Sequence, residues 1–169
     1  MTMSNSATTM TMPSYHEIVI TRTFNAPRSV VFDAITQPEH VRRWYGPRVL
    51  TMTVCDVDLR VGGRWRYVLR DPAGNEHGFS GVYREVAPPD RIVSTEGYEA
   101  MPGHEYVVTV TLTEHAGKTT LRSHLVYQSS TDRDGHVHSG MEAGMRESYD
   151  RLDELVVSMA KANGGQGSK

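Results

Sequence analysis

The sequence predicts an α+β fold: a curved antiparallel sheet of about seven strands wrapped on one long C-terminal helix, with two short helices after the first strand. Three observations carry this reading. Apolar residues recur with period two from Val49 to Tyr127. The spacers between the alternating runs are too short for parallel crossovers, so neighbouring strands form antiparallel hairpins. One amphipathic helix of about twenty residues, or ~30 Å, then closes the chain. A sheet with one apolar face needs a cover, and only this helix is long enough to supply it.

The elements follow in order. Tyr15–Phe24 alternates, with Ile18, Ile20 and Phe24 on one side and Glu17, Thr21 and Thr23 on the other, as a half-buried strand does. Pro27 opens a short helix with Val31, Ala34 and Ile35 as its apolar stripe. Pro38 restarts a second helix, whose Val41, Trp44 and Tyr45 face inward and which Gly46-Pro47 ends. Strands are expected at about 50–58, 63–71, 77–87, 91–98, 104–114 and 118–128, separated by Gly-, Pro- and Asp-rich turns. In strand 77–87, Phe79 and Tyr83 favour one parity and Val82 and Val86 the other, which predicts a bulge. A four-residue loop, Glu114–Gly117, would set Val110 opposite Leu121, Val108 opposite Ser123 and Tyr106 opposite Leu125. Ser139 with Glu142 three residues on reads as a capping box for the final helix, which carries Met141, Met145, Tyr149, Leu152, Val156 and Met159 on one face and stops at Asn163-Gly164.

With 169 residues the chain has room for one domain, placed at 15–162, between a disordered tail at 1–14 and a flexible one at 163–169, neither able to bury enough apolar surface to become ordered. Eighteen basic against twenty acidic residues leave a net charge of −2, which argues against a nucleic-acid partner bound through bulk electrostatics. No apolar run approaches the ~20 residues of a membrane span, and the opening residues carry no secretory signal pattern. Cys55 is the single cysteine, so neither an intrachain disulfide nor a cysteine-built metal site is expected. The expectation is a soluble, cytoplasmic protein, monomer or homodimer.

The inner sheet face and the helix together predict a pocket. Its expected lining is Met52 and Val54; Trp65 and Tyr67; Tyr106, Val108 and Val110; Leu121, Ser123 and Leu125; with Met141, Met145 and Tyr149 as ceiling. Trp and Tyr carry polar tips that want partners, and Met adapts to different shapes, so the lining suits a ligand; the same stripes also serve as ordinary core. Motifs for other chemistry fail. Gly78-Phe79-Ser80-Gly81-Val82 lacks the last glycine of a nucleophile elbow, and His104-Glu105 lacks the second histidine of a zinc-protease helix. Asp132–His138 holds two histidines and two aspartates, but a polar loop seldom provides the support a metal needs, and no metal or other cofactor is expected. Arg64, Arg66 and Arg70 share the opposite face of their strand and are expected to pair with acids on neighbouring strands. Glu96 is the one candidate for acid–base chemistry: turned inward, its pKa would rise, and turned outward it would be inert.

Several stretches resemble the AHSA1-like branch of the SRPBCC (START/Bet v 1-like) superfamily: Arg22-Thr23-Phe24-Asn25-Ala26-Pro27 with Val31-Phe32, Trp44-Tyr45-Gly46-Pro47, Asp58–Trp65, Gly81–Val86 with Pro88-Pro89, and Ser139–Met145 with Tyr149–Leu152. The resemblance covers about residues 15 to 160. It implies a helix-grip fold with a cavity between sheet and long helix. It also implies three functions to weigh: a binding protein enclosing a small, mainly hydrophobic ligand, a co-chaperone-like partner of an Hsp90-type ATPase, and a pocket enzyme of cyclase or hydrolase type. The family offers no invariant catalytic set to transfer, and fold analogy alone is a weak warrant for function. The binding protein is the leading expectation, with Trp65, Tyr67, Tyr106, Met141, Met145 and Tyr149 as contacts.

Overall fold

The structure, a computed structural model, describes residues 8–167. Eight antiparallel strands form one sheet with four helices around it: β1 (Thr9–Thr11), β2 (Glu17–Phe24), α1 (Arg28–Thr36), α2 (Pro38–Trp44), β3 (Thr51–Val57), β4 (Arg64–Arg70), β5 (Glu76–Ala87), β6 (Arg91–Tyr98), β7 (Tyr106–His115), β8 (Lys118–Val126), α3 (Ser130–His138) and α4 (Met141–Gly167). The order across the sheet is β1-β2-β8-β7-β6-β5-β4-β3. From β3 to β8 every neighbour in space is the neighbour in sequence, as short turns require. Only β2 returns from the far side to lie against β8.

The eighth strand is a correction. Thr9–Thr11 falls in the expected N-terminal tail, yet it pairs with Val19–Thr21 on β2. Behind it Thr8 is buried, its hydroxyl accepting from Arg22 at 2.9 Å and its carbonyl accepting from Arg146. Edge pairing and two arginine contacts supply the ordering that composition could not reveal. Residues 1–7 and 168–169 of the expected tails lie outside the described residues.

Three further departures share a local cause. The β7–β8 loop holds two residues, not four. Ala116 (φ 53°) and Gly117 (φ 78°) both occupy the left-handed region, as a tight primed turn demands. Val110 therefore faces Ser123, Val108 faces Leu125 and Leu112 faces Leu121. This differs from the expected register by two residues, so every side chain keeps its predicted face. Asp132–His138 is helical, not a loop: Ser129 caps α3 by accepting from the Asp132 amide at 3.1 Å. Ser139 then ends α3, its hydroxyl donating to the His136 carbonyl at 2.6 Å, and Glu142 pairs with Arg146; the expected capping box does not form. α4 also continues past Asn163-Gly164 to Gly167. Glycine costs only ~1 kcal/mol inside a helix, and no proline follows to forbid it.

The core lies where α1, α2 and α4 meet the sheet. Phe24, Val31, Val41, Leu152 and Val156 are essentially inaccessible there. The backbone of α4 approaches α1, α2, α3 and β2. No helix among the described residues is long and apolar enough to cross a membrane.

Candidate functional site

The predicted lining residues come together on the inner face with one exception. Trp65, Tyr67 and Leu121 are buried in the larger core cluster, against which Met52 and Val110 pack. Tyr106 and Leu125 are buried in a second cluster with Val108, Met141 and Met145 packed on it; Tyr149 touches both. Ser123 is buried between them. Val54 is the exception. A bulge between Met52 and Val54 puts Val54 opposite Val68, and Cys55 takes the inward place opposite Tyr67. The parity of β5 is decided the same way: a register shift between Tyr83 and Glu85 lets Phe79, Tyr83 and Val86 all reach the core.

The middle of this face is polar. Glu96 on β6 stands directly opposite Tyr106 on β7, and the Tyr106 hydroxyl donates to Glu96 Oε2. Burial pushes the Glu96 carboxyl above its usual range, and the Tyr106 bond partly offsets this. Tyr106 stacks on Tyr127 at 4.6 Å, and the Tyr127 hydroxyl shares a 2.5 Å hydrogen bond with His136 Nδ1. Burial pushes His136 below the usual histidine range. Across the interior Tyr67 packs against both Tyr45 and Trp65, each at 4.8 Å. The Trp65 indole donates to the Thr95 carbonyl at 3.2 Å, a contact that Gly81 permits, because a Cβ there would lie 2.7 Å from Trp65 Nε1. Burial first, and the Glu96 charge second, raise the pKa of Tyr45, Tyr106, Tyr127 and Tyr149, so these phenols remain neutral donors. Tyr67 is raised by burial as well, with Glu96 a smaller contributor.

Ser94, Glu96, Val108 and Val110 point inward from β6 and β7, and each is only half-buried. The corresponding β2 and β8 residues, Ile18, Ile20, Leu121 and Leu125, are fully buried. Two surface depressions are present. One of about 220 Å³ is bounded by Arg43, Arg48 and Arg151, and one of about 500 Å³ is bounded by Arg84, Glu105 and Gln128 and reaches Tyr106 and Tyr127.

Other candidates resolve into local roles. Arg66 forms a two-pronged pair with Glu99 at 2.8 and 2.9 Å, while Arg64 and Arg70 are exposed. In α3, Asp132 binds His104, His136 binds Tyr127 and Arg133 binds Asp134, so these side chains do not converge. Among the described residues no three His, Cys, Asp or Glu side chains group as metal ligands. Sequence reasoning missed Tyr127 and His136. Tyr127 continues the Ser123–Leu125 alternation, and the Ser129–Asp132 spacing marks the helix that carries His136. It also missed a relay at the end of β4–β6, where Asp71 Oδ2 meets His77 Nε2 at 3.1 Å and His77 Nδ1 meets the Tyr98 hydroxyl at 3.0 Å. The inward parity of Phe79 would have pointed to it.

The fold has close counterparts among solved structures. A Rhodobacter sphaeroides protein is 28% identical, with a TM-score of 0.83 over 90% of this chain and 99% of that one. A Mycobacterium smegmatis protein is 24% identical, with a TM-score of 0.77 over 87% and 96%. A Silicibacter pomeroyi protein described as AHSA1 is 23% identical, with a TM-score of 0.69 over 84% and 99%. No curated protein matches the chain. The family described as activator of Hsp90 ATPase homolog 1-like protein matches residues 25–157, and the chain belongs to that family.

Proposed function

We propose that the chain is a binding protein that encloses a small, mainly apolar ligand between the inner faces of β5–β7 and α4. The observation that carries this reading is the partial exposure of Ser94, Glu96, Val108 and Val110 on the inner face, where a solid core would leave them buried. Removal of the ligand's apolar surface from water, at ~25 cal/mol per Å², supplies most of the affinity before ordering costs. Trp65, Tyr67, Tyr106, Met141, Met145 and Tyr149 contact it, and the tyrosine hydroxyls orient it. A cytoplasmic setting fits the lone, buried thiol of Cys55.

Native mass spectrometry of freshly purified protein, followed by a thermal-shift screen of small hydrophobic metabolites, tests the reading. A co-purified small molecule or a ligand-dependent rise in Tm is expected, and Val108→Trp, which fills the space, abolishes either. An unliganded mass together with no stabilisation by any compound overturns it.

A second reading, a pocket enzyme, is favoured by one observation: the Glu96 carboxyl turns inward, where burial shifts its pKa upward, the direction a proton donor requires. Turnover of a bound compound that Glu96→Gln abolishes would support it. A chaperone partner would have to dock on the outer face through Arg64 and Arg70, since Arg66 is already engaged by Glu99.

A further inference from the structure

The geometry points to a ligand that is cationic at one end: an apolar molecule carrying an ammonium group, protonated or quaternary, held by Glu96 within a wall of tyrosines. This rests on the ligand-binding reading above and names its chemistry. Glu96 brings a carboxyl to the centre of the inner face, and only Oε2 is engaged, by Tyr106. Among the described residues Oε1 has no hydrogen-bond partner, and Glu96 retains accessible surface. The second oxygen is therefore left for a ligand to reach. A carboxyl group held there at a desolvation cost gains most from a charged donor.

Among the described residues the surrounding protein supplies no such donor. From β2, Arg22 faces inward but is committed to Asp150 at 2.8 Å and to Thr8, with Asp153 at 3.9 Å. From α3, His136 is bonded to Tyr127. From the end of α2, β4, β8 and α4 come Tyr45, Tyr67, Tyr127 and Tyr149, all neutral. Two groups of rings lie near Glu96, Tyr106 stacked with Tyr127 and Tyr45 packed with Tyr67 and Trp65. Aromatic faces carry the negative end of the ring quadrupole and attract a cation. An anionic head group would meet a like charge, and a neutral one would gain only an ordinary hydrogen bond.

Isothermal titration of the full chain with four probes of one chain length decides it: hexyltrimethylammonium, hexylamine, 1-hexanol and hexanoate. The two ammonium probes are expected to bind about tenfold or more tighter than 1-hexanol, with hexanoate weakest. Glu96→Gln brings the ammonium probes to near parity with 1-hexanol, which still binds. The wild-type panel decides the preference by itself, should E96Q fold poorly. If 1-hexanol or hexanoate binds as tightly as the ammonium probes, this inference falls while the ligand-binding reading stands. If none of the four binds and the metabolite screen is also empty, both fall.

Discussion

Glu96 is held on the inner face by a single hydroxyl, and burial raises its pKa in the folded chain. The folded state thus binds this proton more tightly than the unfolded chain does. Its contribution to stability is complete below the ordinary glutamate value and is lost as pH rises through the raised, folded value. The melting temperature is expected to fall over that range more steeply in the wild type than in Glu96→Gln; parallel profiles would refute a buried, raised carboxyl. The sequence could place Glu96 on a strand but left its face open. Its neighbours on β6 have no consistent apolar parity, and only the pairing of Glu96 with Tyr106 on β7 turns it inward. Val54 shows the reverse failure. Its alternation with Met52 was legible, but a bulge between them cannot be read from alternation alone, and it sends Val54 outward.

At the scale of elements, strand positions were legible because their alternation spans several residues, whereas turns and caps hang on one or two dihedrals. Ala116 sits at φ 53°, a conformation that costs a residue with a Cβ about 1–2 kcal/mol. Ala116→Asn is expected to stabilise the β7–β8 hairpin by about 0.5–1 kcal/mol, read as a higher midpoint in urea with an unchanged slope, because asparagine tolerates this region better. The long helix makes the opposite case. Leu152 is fully buried against α1, α2 and the sheet, so Leu152→Ala should cost about 2–5 kcal/mol in the same measurement. A loss below 1 kcal/mol would mean that α4 is not seated as described. The apolar face of α4 was readable from its 3.6-residue period. Its start was not, since Ser139 suits the end of α3 as well as the beginning of α4.

At the scale of the whole molecule, β1 closes one edge of the sheet and Thr8 behind it meets arginines from β2 and α4. Deleting residues 1–13 exposes the edge of β2 and takes one partner from the buried Arg22 guanidinium. A stability loss of about 1–3 kcal/mol is expected, with concentration-dependent association by light scattering. An unchanged midpoint would show that β1 contributes nothing. No periodicity marks a three-residue strand of threonine and methionine. Its order comes from contacts with residues far away in the chain, to which composition is blind.

The sequence by itself determined the class of fold, the strand succession, the two short helices and the long one, and nearly all of the residues that face inward. Those features follow from local spacing, which period two and period 3.6 record directly. Only the tertiary structure decided where α4 is seated, which way Glu96 turns, and which tyrosines gather near it. These depend on pairing register, bulges and helix seating, physical relations between segments distant in sequence that no local pattern encodes.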